Sequence, residues 1–188
     1  MGSCVRSMQV NERRHAQREQ CCNNLRMIGL DFKIWAGDHN DEFPMRVSVA
    51  NGGTLELISG GAVYPHYQIL SNILKDPRIL ICPTDTQEKP ARDFTTNFSD
   101  RNISYFVGIS ASQKFPDLLL GGDRNITNGH SPVNGILEIK ANQPVGWTGE
   151  FHRGFGDVVF ADGSSSPLNQ SLLREALSLS NSNRLAIP

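Results

Sequence analysis

The chain has 188 residues, 38% hydrophobic and 20% charged, with a formal net charge of −1. That length supports one well-buried domain, and the charge balance excludes any general attraction for nucleic acid or an anionic membrane surface. No apolar run approaches the ~18–20 residues that cross a bilayer, and no signal-peptide core opens the chain, so it reads as a soluble polypeptide.

Seventeen glycines and ten prolines argue against an all-helical protein. Cys4, Cys21, Cys22 and Cys82 form neither a C-x-x-C pair nor a zinc spacing. Buried thiols and a single disulfide to Cys82 both remain open at this level.

The spacing predicts one long helix over residues 5–37. From Arg18 onward Cys21/Cys22, Leu25, Ile28/Gly29, Phe32 and Trp35/Ala36 recur as one apolar stripe. Before Arg18 the stripe fades into N-E-R-R-H-A-Q-R-E-Q, which gives the helix nothing to bury. Residues 1–20 therefore read as a projecting polar stem, and residues 21–188 as a globular head. A juxtamembrane segment severed from its membrane portion is the other reading of the stem. The Met-Gly-Ser opening fits such a truncation.

Residues 47–62 are rich in Gly, Ser and Asn and read as irregular. Pro65–Lys75 carries Tyr67, Leu70, Ile73 and Leu74 at helical spacing, with Pro in the first turn. Arg78–Cys82 is a short strand candidate, and residues 84–101 a polar loop. Ile103–Ile109, Asp117–Gly122 and Gly135–Ile139 are further strand candidates. Asp157–Ala161 and Ser164–Leu168 flank Asp162-Gly163, a dipeptide that favours a tight hairpin turn with positive φ at both central positions. Gln170–Leu179 reads as a short amphipathic helix, with Leu172, Leu173, Ala176, Leu177 and Leu179 in a stripe.

An enzyme needs convergent polar groups, and the candidates are His152, Asp162, Asp123, Asp157 and Glu150. The simpler reading is structural: Asp162 forms the turn, and a His152 hydrogen bond pins the preceding loop. No nucleophile elbow or H-E-x-x-H is present. Asp38, Asn40, Asp41 and Glu42 lack the Gly and terminal Glu spacing of a calcium loop. Trp35 and Trp147 read as packing residues.

Several runs in order carry a resemblance. Cys21-Cys22-Asn23-Asn24-Leu25-Arg26-Met27-Ile28-Gly29-Leu30 is similar to a C-x-N-N-L-x-x-I-G-L run. Asp38–Pro44 ends in Phe-Pro after an acidic turn, and Leu80–Asp85 resembles an I-x-C-P-S-D segment. Ser104–Gly108 and Gly122–Asn125 follow, and His152 stands nine residues before Asp162-Gly163. The set resembles the bacterial type II secretion-like pseudopilins, prepilin-type proteins that end in an H-X9-DG motif. Asn24, Leu25, Gly29, His152, Asp162 and Gly163 are the motif positions.

The resemblance implies an α+β, pilin-like fold: a long N-terminal helix packed on an antiparallel β-sheet, with a short C-terminal helix. It implies a structural subunit of a type II secretion or type IV pilus-like assembly, and no enzyme. In the full-length parent a methylated apolar helix, absent here, would anchor the protein in the inner membrane. The head would stand in the periplasm or in an extracellular filament. Partners would be other pseudopilin subunits and assembly components, with no nucleic acid. The same resemblance suggests a Cys21–Cys82 disulfide, and a calcium ion held by Asp123, Asp157 and Asp162. A binding head displayed on a pilin stalk is the alternative, marked by an exposed aromatic patch. A metal-dependent hydrolase is a third reading; it needs His152 and at least two carboxylates in one cleft.

Overall fold

The predicted first helix is α1, Gly2–Gly37, in the computed structural model, which describes residues 2–140, 143–178 and 182–188. Cys21, Leu25, Ile28, Phe32, Trp35 and Ala36 on one face of α1 are buried. Residues 9–16 are exposed throughout, as a helix segment without an apolar stripe must be. The side chains of residues 5–8, and Cys4 with them, lie outside the described residues.

The fold is α+β. Six strands form an antiparallel sheet in the order β4-β8-β1-β2-β6-β7. They are β1 Tyr105–Gly108, β2 Leu119–Asp123, β4 Ile136–Lys140, β6 Phe155–Phe160, β7 Ser165–Asn169 and β8 Ser182–Ala186. A two-stranded ribbon pairs β3, Ile126–Thr127, with β5, Gly146–Trp147. Side chains alternate across the sheet. Tyr105, Val107, Leu120 and Val159 meet α1 on one face. Phe106, Leu119, Val158, Leu168 and Leu185 form a second core on the other, closed by Trp147 and by Leu173 and Leu177. Those last two belong to the amphipathic helix α4, Gln170–Ser178; Leu179, placed in the same stripe by the sequence, lies outside the described residues.

The structure corrects several local expectations. Pro65–Lys75 is two short helices, α2 Tyr64–Gln68 and α3 Ser71–Leu74. Arg78–Cys82 is not a strand. Pro77–Leu80 is a 3₁₀ turn, begun by Pro77 and by the Asp76 carboxylate accepting from the Arg78 amide. The Asp162-Gly163 turn has positive φ only at Gly163, at 88°. The Gly163 amide donates to the Phe160 carbonyl at 2.9 Å, a type I turn followed by a left-handed glycine. Strand β8 has no sequence signature: S-N-R-L-A shows no apolar alternation, yet it sits between β4 and β1.

Two features of α1 position the site. Gly29 lies against β6 so closely that a Cβ there would stand 2.5 Å from Val159 Cγ2. That contact sets α1 directly on the sheet, one helical stretch beyond Cys21. On the far side Met27, Leu30 and Ile34 point outward, 56%, 56% and 48% exposed.

Candidate functional site: a buried thiol, carboxylate and imidazole cluster

Three polar residues form a row across the middle of the sheet on its α1 face. Tyr105 of β1 pairs with Asp123 of β2. Gly122 pairs with Val158 of β6, which sets Asp123 beside Asp157. The Asp157 amide donates to Asp123 Oδ2 at 2.7 Å. Both aspartates are fully buried. Two like charges side by side on one sheet face oppose folding, so the arrangement requires compensation.

Cys21 comes down from α1 onto this row. Its thiol lies 3.2 Å from Asp123 Oδ1, to which it donates, and 3.4 Å from the Tyr105 hydroxyl. Asn24, one turn on, reaches the Ile81 carbonyl at 3.3 Å and the Tyr105 hydroxyl at 3.5 Å. It thereby ties α1 to the segment that carries Cys82. Cys82 Sγ is 3.0 Å from Thr84 Oγ1 and 3.3 Å from His152 Nε2.

His152 enters from the opposite side. It begins three successive residues in left-handed backbone: His152, Arg153 and Gly154, with φ of 38°, 53° and 83°. Two of the three carry a side chain, a strained conformation that persists where surrounding contacts over-determine it. The turn drives the imidazole inward. Nε2 lies 3.4 Å from Asp123 Oδ2 and 3.6 Å from Asp157 Oδ2, and the side chain is 3% exposed.

The electrostatics follow from burial. Burial pushes the Cys21 thiol and the Asp123 and Asp157 carboxyls up. The neighbouring Cys21 thiol, with His152 helping, brings Cys82 down to about 5 against its own burial. His152 is raised: burial would lower it, and Cys82 and the two carboxylates overcome that. Asp157 is the least satisfied member. Neither of its oxygens has a hydrogen-bond partner among the described residues, and its second cationic neighbour, Arg18 Nε, is 3.9 Å away. The Arg18 guanidinium itself lies over the Phe155 ring, 4.5 Å from its centroid.

Around the cluster runs a second polar group. Asp85 accepts from Ser104 Oγ at 2.8 Å, Arg124 Nε at 3.0 Å and the Gln87 amide at 2.9 Å. Those bonds fix the loop after Cys82 to the residue after Asp123. Glu150 stands outside, 3.9 Å from Arg124.

The structure thus gathers some of the sequence candidates and separates others. His152, Asp123 and Asp157 come together. Asp162 does not join them. It lies past the far end of β6, exposed, its carboxylate accepting from the Ser164 amide at 2.7 Å and its carbonyl from Lys33 at 2.7 Å. His152 and Asp162 therefore do different jobs at opposite ends of one strand, and a calcium site of Asp123, Asp157 and Asp162 is not formed. The two inner aspartates face thiols and an imidazole, a donor set unsuited to calcium. Cys21 and Cys82 do meet, as free thiols with sulfur atoms within 4.8 Å. Asn24 and Leu25 serve packing and tethering, and Gly29 the close helix–sheet approach.

Sequence reasoning missed the cluster because its members come from four separate runs with no local ligand spacing. The available signal was that four of the motif runs carry a donor: Cys21, Cys82, Asp123 and His152. Comparison of the chain with protein-family models, curated proteins and solved structures returned no match.

Proposed function

We propose that this chain is the head of a pseudopilin-like subunit, whose role is assembly in a type II secretion or type IV pilus-like machine and not catalysis. The observation that carries the reading is the two-faced helix α1. One face, from Cys21 to Ala36, is buried on an antiparallel sheet. The opposite face presents Met27, Leu30 and Ile34 at i, i+3 and i+7 to solvent. An outward apolar row on a helix already docked by its other face suits packing against the same helix of a neighbouring copy. The ordered motif runs, from Cys21 through Asp162-Gly163, support the same reading.

The reading expects an apolar, membrane-anchoring helix ahead of the stem in the full-length protein, with the head outside the cytoplasm. Among the described residues no helix is long and apolar enough to cross a membrane.

The alternatives fare less well. A binding head would display an aromatic platform, and among the described residues the exposed aromatics are Phe115 and Phe155. Phe155 opens β6 and lies under Arg18, whereas Phe115 sits by the Asp162 turn beyond its other end. A metal-dependent hydrolase finds its His152, Asp123 and Asp157 together, but the open pocket beside the cluster is lined by Arg18, Thr84 and His152 and by neither of the two buried aspartates.

The test is photo-crosslinking in cells that make the full-length protein, with the crosslinker at Met27 or at Leu30 and a control at exposed Lys89. The reading expects homo-oligomeric adducts from both helix positions and none from Lys89. A protein that stays monomeric at both positions, or a full-length N-terminus without an apolar segment, overturns it.

A further inference from the structure

We propose that Cys21, Cys82, Asp123 and His152 form a closed, four-ligand site for a dication of the zinc class. The four side chains offer Sγ, Sγ, a carboxylate oxygen and Nε2, all within 4.8 Å of one another. A tetrahedral zinc bound at ~2.3 Å to sulfur and ~2.0–2.1 Å to nitrogen or oxygen holds its ligand atoms about 3.3–3.8 Å apart. The chain already has Cys21 Sγ 3.2 Å from Asp123 Oδ1, Cys82 Sγ 3.3 Å from His152 Nε2, and His152 Nε2 3.4 Å from Asp123 Oδ2. The Cys21–Asp123 and Cys82–His152 contacts are within a few tenths of an ångström of such edges, His152 reaches the other oxygen of the same carboxylate, and the remaining ligand pairs lie within 4.8 Å.

Donor chemistry selects the metal. Two sulfurs and an imidazole favour zinc over calcium or magnesium, which take oxygen ligands at higher coordination number. Charge points the same way. Two buried aspartates stand side by side and two thiols face them, against His152, 3.4 Å from Asp123, and Arg18, 3.9 Å from Asp157. A dication offsets this excess, and its binding displaces the Cys21 thiol proton and the proton held between Cys82 Sγ and His152 Nε2, without any change of oxidation state.

The outer contacts are those a metal site uses to orient its ligands. Thr84 Oγ1 lies against Cys82 and the Tyr105 hydroxyl against Cys21. The Asp157 amide holds Asp123 Oδ2, while the Asp157 carboxylate, without a hydrogen bond among the described residues, faces the cluster 3.6 Å from His152 Nε2. Cys21, Cys82 and Asp123 are buried, the His152 side chain is 3% exposed beside a pocket that Arg18 and Thr84 also line, and the four protein ligands complete a tetrahedral site. Its role is structural: it ties α1, the loop after the 3₁₀ turn, β2 and the His152 turn together at one point.

The proposal is tested on the whole chain purified under reducing conditions, with metal content read by plasma mass spectrometry. One equivalent of zinc per chain is expected, and a cobalt-substituted sample should show thiolate charge-transfer and tetrahedral d–d bands. Chelator should lower the Tm of the zinc form. Cys82→Ser should abolish stoichiometric binding, and Asp157→Asn should weaken it about 10–100-fold. Cys22→Ser, which alters the half-buried neighbouring thiol, should retain one zinc. Three results overturn the proposal: wild-type protein that takes up no zinc or cobalt; reduced-purified protein lighter by two hydrogens, with a Cys21–Cys82 disulfide and no metal; and calcium, not zinc, raising Tm. The wild-type measurements stand whether or not the variants fold, and none of them bears on the assembly reading.

Discussion

Gly29→Ala isolates the contact that seats α1 on the sheet. On an exposed helix the change would stabilise by about 1 kcal/mol, since alanine loses less backbone entropy. Here the new methyl would stand 2.5 Å from Val159 Cγ2, against about 3.5–4.0 Å for ordinary contact. Val159 has nowhere to go. It is fully buried, and its other methyl, Cγ1, is 3.4 Å from the position a Cβ would take on Gly121. The isopropyl group is wedged between a glycine of α1 and a glycine of β2. Relief therefore requires α1 or β6 to move by about 1 Å, an overpacking strain near the top of the usual ~1–3 kcal/mol range. The net expectation is a loss of about 2 kcal/mol, or a Tm drop of about 4–8 °C for a chain of this size. The assay is urea unfolding followed by circular dichroism, run as a cycle with Val159→Ala. Removing the isopropyl removes the clash, so Gly29→Ala in that background should stabilise by about 1 kcal/mol. The coupling between the two sites is then about 3 kcal/mol. A Gly29→Ala protein more stable than wild type, or a coupling under ~0.5 kcal/mol, refutes the reasoning.

His66 is fully buried, bonded through Nδ1 to Thr54 Oγ1 at 2.8 Å, with Nε2 unpartnered, and burial lowers it from 6.5 to about 4. The folded state thus favours neutral imidazole, so its contribution is complete above pH ~6.5 and is lost as pH falls toward 4; by pH ~4 wild type should lose about 3 kcal/mol more than His66→Gln, and parallel pH profiles in denaturant titrations would contradict this. Asp85→Ala strands Arg124, whose side chain is 12% exposed, and should cost about 3–5 kcal/mol in the denaturation midpoint. A loss under ~1 kcal/mol would mean that Glu150 and Gln87 suffice for the guanidinium. Gly163→Val forces a β-branched side chain to a φ of 88° and should cost about 2 kcal/mol or more, whereas Asp162→Asn keeps the acceptor for the Ser164 amide and should stay within ~0.5 kcal/mol. Equal effects in thermal unfolding would show that the carboxylate charge, and not the glycine backbone, makes the turn.

What the sequence determined by itself were the features with a local physical cause. The stripe from Cys21 to Ala36 has the period of a helix, so it defined both α1 and its buried face, and the polar run before Arg18 defined where burial stops. The short apolar run Val158–Phe160 and the Asp162-Gly163 pair after it marked β6, β7 and the turn between them. Tertiary structure alone decided the rest. Strand β8 takes its place between β4 and β1 by completing their hydrogen bonds, which S-N-R-L-A does not advertise. Pro77–Leu80 winds into a 3₁₀ turn because Pro77 opens it and Asp76 caps it. His152 and Asp162, nine residues apart, part company because the intervening residues are extended, and an extended strand carries its two ends to opposite edges of the sheet. The cluster is the extreme case: Cys21, Cys82, Asp123 and His152 share no spacing. Helix docking at Gly29, sheet register and a strained left-handed turn bring them within 4.8 Å. Local chemistry fixes which atoms can donate, but only long-range packing fixes which of them meet.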